Sequence, residues 1–164
     1  MTRTQENTAA VTRREWLGAV VGAGAVLLVS PLGRAAAAMA APVTMTVYKS
    51  PTCGCCHQWV ERAKGAGFTV VVKDTPDVTP TKRTLGVPES LWSCHTAVVG
   101  GYAIEGHVPL DLVSKLLREK PRAAGLAVPG MPAGSPGMEV GGMKDPYDVV
   151  LFQSDGKTSV YAKR

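Results

Sequence analysis

Between Met45 and Tyr161 the apolar residues fall into short periodic runs separated by Gly, Pro and charged residues. Met45-Thr46-Val47-Tyr48-Lys49 alternates with the two-residue period of a strand, and Ser50-Pro51-Thr52 breaks it as a turn. From Cys55 to Lys64 the pattern is helical, with Gly65 and Gly67 as stop signals. Phe68 to Lys73, with the β-branched run Thr69 to Val72 inside it, predicts a second and largely buried strand. Thr79 to Gly86 is a short helix with a Pro start and a Gly stop. Thr96–Val99 and Tyr102–Glu105 flank Gly100-Gly101 as a hairpin. Pro109 to Arg118 is an amphipathic helix whose apolar positions are 112, 113, 116 and 117. Gly125 to Gly142 is a Pro/Gly-rich loop carrying Met131 and Met138, each in a Pro-Gly-Met triplet, and it is too long for a mere connection. Tyr147–Phe152 and Thr158–Tyr161, around Ser154–Lys157, predict a C-terminal β-hairpin.

The order β-α-β-α-β-β-α predicts a single α/β domain of the thioredoxin-like kind, extended by the loop and the hairpin. In that arrangement the loop before the third strand lies beside the N-terminus of the first helix. Here that loop is Ser93-Cys94-His95-Thr96, so Cys94 is expected to meet Cys53, Cys55 and Cys56.

The first forty residues have a different character. Polar residues lead to Thr12-Arg13-Arg14-Glu15-Trp16-Leu17 and then to an apolar Gly/Ala-rich run ending at Val29. A run of about 13 residues is short of the ~20 that span a bilayer, and it matches the apolar region of a signal peptide. Pro31, Arg34 and the small residues Ala35 to Ala41 follow as a cleavage region. The paired arginines resemble a twin-arginine signal, the route for proteins already folded. Residues 1–41 are therefore expected to be removed, leaving 42–164 as an exported domain with no permanent membrane anchor.

Export changes the charge and the meaning of the cysteines. The signal takes four of 18 basic and two of 13 acidic residues, so the formal net charge falls from +5 to 14 − 11 = +3. No basic cluster with interleaved aromatics remains, which gives nucleic-acid binding no support. Four cysteines in an oxidising compartment ordinarily mean two structural disulfides. Three of them crowd into Cys53-Gly54-Cys55-Cys56, where bridges close only tiny loops and stabilise little.

A helix N-terminus favours thiolate over thiol and so prepares these residues for metal binding or disulfide exchange. Cys53 and Cys56 have the spacing of a dithiol oxidoreductase, but such chemistry has no use for Cys55 or Cys94, and extra thiols invite mixed disulfides. A Cys₄ zinc site normally uses two separated Cys-x-x-Cys knuckles. Four clustered thiolates suit a soft ion, and four Cu(I) ions bridged by four thiolates carry no net charge.

Tyr48-Lys49-Ser50-Pro51-Thr52-Cys53-Gly54-Cys55-Cys56, Cys94-His95-Thr96 and Glu105-Gly106-His107-Val108-Pro109 resemble the periplasmic copper-resistance proteins of the CopG type. The likeness extends to Gly125–Met131 and Asp145–Phe152. It implies a thioredoxin-like fold, a copper cluster bridged by Cys53, Cys55, Cys56 and Cys94, and copper ions and other periplasmic copper-handling proteins as partners. His95, His57 and Met131 are accessory candidates. For His57 the alternatives are facing solvent or tuning the cysteines, and for His95, next to Cys94 in the same loop, supporting a ligand rather than binding metal itself. For Met131 and Met138 the alternative is gap-filling in the core. His107 precedes a helix start, where a structural role is at least as natural. Trp59 and Trp92 are placed to shield the cysteines from water. Whether the protein stores, transfers or converts copper, or is an enzyme at all, is left open by the residues.

Overall fold

The computed structural model describes residues 42–139 and 141–164. The proposed signal segment 1–41 lies outside them. The described chain is one mixed α/β domain with a seven-stranded sheet and three α-helices. The order is β1 (Thr44–Lys49), α1 (Gly54–Gly65), β2 (Thr69–Asp74), α2 (Thr79–Thr84), β3 (His95–Val99), β4 (Tyr102–Glu105), α3 (Leu110–Glu119), β5 (Gly125–Ala127), β6 (Asp148–Phe152) and β7 (Thr158–Lys163). A single 3₁₀ turn at Glu89–Leu91, which has no periodic signature, precedes β3.

Strand order across the sheet is β2-β1-β3-β4-β5-β6-β7. β1 runs parallel to β2, with Met45 opposite Val70, and antiparallel to β3, with Lys49 opposite His95. This second register positions the site. The end of β1, which leads into Cys53, lies beside the start of β3, which follows Cys94.

The sheet alternates in both senses, because successive side chains of a strand point to opposite faces. On one face Met45, Val47, Ala97, Val99, Ile104 and Leu126 pack with Trp59, Val60 and Ala63 of α1 and Leu112, Val113 and Leu116 of α3. On the other, Ala103, Ala127 and Phe152 pack beneath Val87 and Leu91 of the α2–β3 connection. The expected stripe on α3 is present: Leu112, Val113 and Leu116 are buried, and Leu117 is half-buried against the same core.

Two expectations are corrected. β2 is not largely buried. It is an edge strand, which among the described strands pairs with β1 alone, and Val71 and Val72 are exposed. A run of β-branched residues marks a strand without marking its place in the sheet. The loop expected from Gly125 likewise begins as a strand. Gly125, Leu126 and Ala127 insert between β4 and β6, which joins the C-terminal hairpin to the main sheet. Three residues including a glycine are too short for a period. Among the described residues, no helix is long and apolar enough to cross a membrane.

Candidate metal centre

Cys53 is the residue that caps α1, and its N–H donates to the Ser50 carbonyl at 3.2 Å, closing the turn from β1. Cys55 and Cys56 occupy the first helical turn. The loop before β3 brings Cys94 opposite them. The four Sγ atoms all lie within 4.8 Å of one another. Cys53 and Cys56 are joined as a disulfide, while Cys55 and Cys94 are free. Cys53 Sγ is 3.4 Å from Cys55 Sγ, and Cys55 Sγ is 3.9 Å from Cys94 Sγ. Cys56 is buried and the other three are half-buried. Two thiolates sharing one ion at bond lengths near 2.3 Å stand about 3.8 Å apart in tetrahedral geometry, so this donor set has the dimensions of a metal site.

The expectation of activated thiolates does not extend to Cys94. Burial first, and then the adjacent Cys55, push its thiol up to about 12. Cys94 is on the facing loop rather than at the helix terminus, and two thiolates in contact repel one another. A bound cation removes that penalty, because metal displaces the thiol proton.

Around the sulfurs stands a shell that the sequence only partly announces. His95 and His107 are both fully buried. Burial, followed by the charges of His107 and Lys82, holds His95 well below the usual histidine range, and burial lowers His107 as well. Trp59 is buried with its ring 4.7 Å from His95, and its Nε1–H donates to the Val108 carbonyl at 3.0 Å. Trp92 is half-buried beneath Arg83 and packs with Val87 and Leu91 instead. His57, by contrast, is exposed on α1 and outside the cluster.

The Met-rich loop folds back over the site. Gly137 rests on α1 so closely that a Cβ there would meet Cys55 O and Trp59 N, each at 2.9 Å, and its φ of +88° independently requires glycine. The preceding Pro136 carbonyl is 2.9 Å from His107 Nδ1. The Ser93 hydroxyl donates to Gly130 O at 2.6 Å, which ties the next residue, Met131, to the Cys94 loop. Met131 itself is exposed, and Met138 is half-buried.

One element of the shell had no signal in the pattern of the chain. Lys82 of α2 and Glu105 at the end of β4 form a buried ion pair. Glu105 also accepts the Ser93 N–H and the Thr96 hydroxyl, each at 2.6 Å, and Lys82 donates to Thr96 Oγ1 at 3.0 Å. This network fixes the residues on both sides of Cys94. Burial pushes the Glu105 carboxyl up, opposed by Lys82 and the two donors. A helical Lys and a strand-end Glu announce no pairing across 23 residues.

Two solved structures, titled "Copper resistance protein copG- Form 2" and "Copper resistance protein copG- Form 1", are each 44% identical to this chain, with TM-scores of 0.72 and 0.71. Each match covers 75% of this chain and 98% of the solved one. Residues 91–138 match a family described as "Protein of unknown function, DUF411". No curated protein sequence matches the chain.

Proposed function

The chain belongs to the family of the copper resistance protein copG, and on that premise we propose that it is an exported copper-binding protein. The observation that carries this reading is the convergence of four sulfurs within 4.8 Å. Once an external dithiol reduces the Cys53–Cys56 bond and is itself oxidised to a disulfide, four cysteines face one another, and soft thiolates select Cu(I). Four Cu(I) ions bridged by Cys53, Cys55, Cys56 and Cys94 make a neutral cluster, so a partly buried site holds metal without stranding charge. We take β1 to β4 with α1 and α3 as a thioredoxin-like half, to which β5, β6 and β7 are appended. Partner proteins in this reading are other exported copper-handling proteins, which give or receive Cu(I).

The Cys53–Cys56 disulfide at the start of α1 supports a second reading, a thiol-disulfide oxidoreductase. Copper analysis and thiol titration on protein purified from copper-supplemented cells separate the two. A copper-binding protein carries stoichiometric copper and shows four titratable thiols once the metal is chelated under reducing conditions. Metal-free protein with a persistent Cys53–Cys56 bond and two free thiols supports the oxidoreductase instead.

Export in this proposal follows the Arg13-Arg14 pair, with residues 1–41 removed afterwards. Changing both arginines to Lys is expected to leave full-length precursor in the cytoplasm. Normal processing of that variant, seen by fractionation and size, contradicts the twin-arginine route.

A further inference from the structure

Lys82 is the buried residue of α2, so this short helix is held on the sheet by a charge. A buried ion pair is often no more stable than well-packed apolar residues of similar volume. Stability alone therefore gives no reason for the Lys82–Glu105 pair. Its hydrogen bonds do.

Glu105 reaches two points of the segment that carries Cys94. Its Oε1 accepts from the Lys82 ammonium and, at 2.6 Å, from the Ser93 N–H. Its Oε2 accepts from the Thr96 hydroxyl at 2.6 Å, and Lys82 donates to the same hydroxyl oxygen at 3.0 Å. Cys94 lies between these two anchors. Gly106 N–H donates to His95 O at 2.9 Å, and a Cβ on Gly106 would stand 2.6 Å from Ser93, so the strand that brings Glu105 also lies tight against the segment. Apolar side chains at 82 and 105 would leave the Ser93 N–H without this acceptor and the segment without a fixed direction.

What the two anchors fix is a distance. Cys94 and Cys55 are both free, and their sulfurs stand 3.9 Å apart. Two thiolates on one ion stand about 3.8 Å apart, whereas the sulfurs of a disulfide stand at about 2.05 Å. In an oxidising compartment, free thiols that drift together are lost to a disulfide.

We propose that Lys82 and Glu105 are positioning residues for Cys94, a polar clamp that holds its sulfur at the ion-sharing distance from Cys55 and resists closure of a Cys55–Cys94 disulfide. The proposal rests on the copper-binding reading only for what that spacing serves. The resisted step is thiol–disulfide exchange. Cys55 and Cys94 together give up two protons and two electrons and form one S–S bond, while an external disulfide takes them up and becomes two thiols. Any shift of the Cys94 segment towards α1 stretches the bonds from Ser93 and Thr96 to Glu105, so the clamp opposes it.

Two double variants, neither of which strands a charge, test this. Lys82→Met/Glu105→Leu removes the clamp. Lys82→Met/Glu105→Gln keeps it in neutral form, because the Gln carbonyl accepts the Ser93 N–H and its amide N–H donates to Thr96 Oγ1. Metal-free protein with the Cys53–Cys56 disulfide in place is exposed to oxidised glutathione, and the Cys55–Cys94 bond is followed by peptide mass spectrometry. The Leu variant is expected to close that bond at least about 10-fold faster than the parent, as for the loss of one ordinary hydrogen bond, and the Gln variant at the parent's rate. Equal rates in the parent and a folded Leu variant overturn the proposal. A Gln variant as fast as the Leu variant overturns it too, because charge rather than direction would then set the rate. Copper titration of the reduced parent keeps the two readings apart. If the parent binds copper and the Leu variant closes no faster, the clamp fails and the copper reading stands. If the Leu variant closes faster and the parent binds no copper, the clamp stands and the copper reading fails. Should the Leu variant not fold, Thr96→Val decides, since it leaves the ion pair and removes one anchor: faster closure supports the clamp, and the parent's rate overturns it.

Discussion

Lys82→Met is expected to destabilise the fold by about 3–5 kcal/mol, because it removes one member of a buried pair and strands the other. The Lys82 and Glu105 side chains are 6% and 0% exposed, so water cannot replace the lost ammonium. Methionine fills much of the same volume, which limits any packing contribution. Glu105 keeps its bonds to Ser93 N–H and Thr96 Oγ1 but loses the Lys82 countercharge. Burial already raises this carboxyl, and without Lys82 it rises further. The sign of the pH dependence follows. A carboxyl whose folded pKa lies above its unfolded value binds more protons when folded, so the variant loses stability as pH rises. Its deficit should therefore be smallest near the ordinary carboxylate value of 4.5 and deepen through neutrality. Denaturant unfolding at two pH values measures both effects. A deficit below about 1 kcal/mol at neutral pH would mean that Glu105 finds another partner.

Cys55→Ser and Cys94→Ser are each expected to weaken copper binding by at least about 100-fold, the upper range for losing a mere supporting contact to a ligand. A hydroxyl is a hard donor and does not replace a thiolate on Cu(I). The two positions decide between readings because neither belongs to the Cys53–Cys56 disulfide. A dithiol enzyme tolerates both changes. Neither free cysteine is in the fully buried core, so stability should change little, and a preserved melting temperature ties the loss to the site. His57→Ala serves as the control: the residue is exposed and outside the cluster, and copper binding should be unchanged.

What could be read from the sequence was what repeats along it. The alternation in Met45–Lys49, the glycine pair between β3 and β4, and the stripe at 112, 113 and 116 each appear where the pattern places them. Cys94 meets Cys53, Cys55 and Cys56 because the β1–β3 register is what the element order implies. The unread parts depend on neighbours distant in sequence. β2 is an edge strand only because β3 takes the other side of β1, and nothing in Thr69–Asp74 encodes that. β5 is a strand only because β4 and β6 both offer it edges. The Lys82–Glu105 pair joins a helix to a strand end, and the burial of His107 depends on a carbonyl 29 residues away. Such contacts leave no period.

The most direct test of the central claim is residue-by-residue alkylation of the reduced protein, with and without Cu(I), read by mass spectrometry. If Cys53, Cys55, Cys56 and Cys94 hold copper together, all four should alkylate in the metal-free protein. All four should then be protected when Cu(I) is bound, and become reactive again on chelation. Copper bound to protein whose four cysteines alkylate as fast as in the metal-free form would place the metal elsewhere and contradict the account.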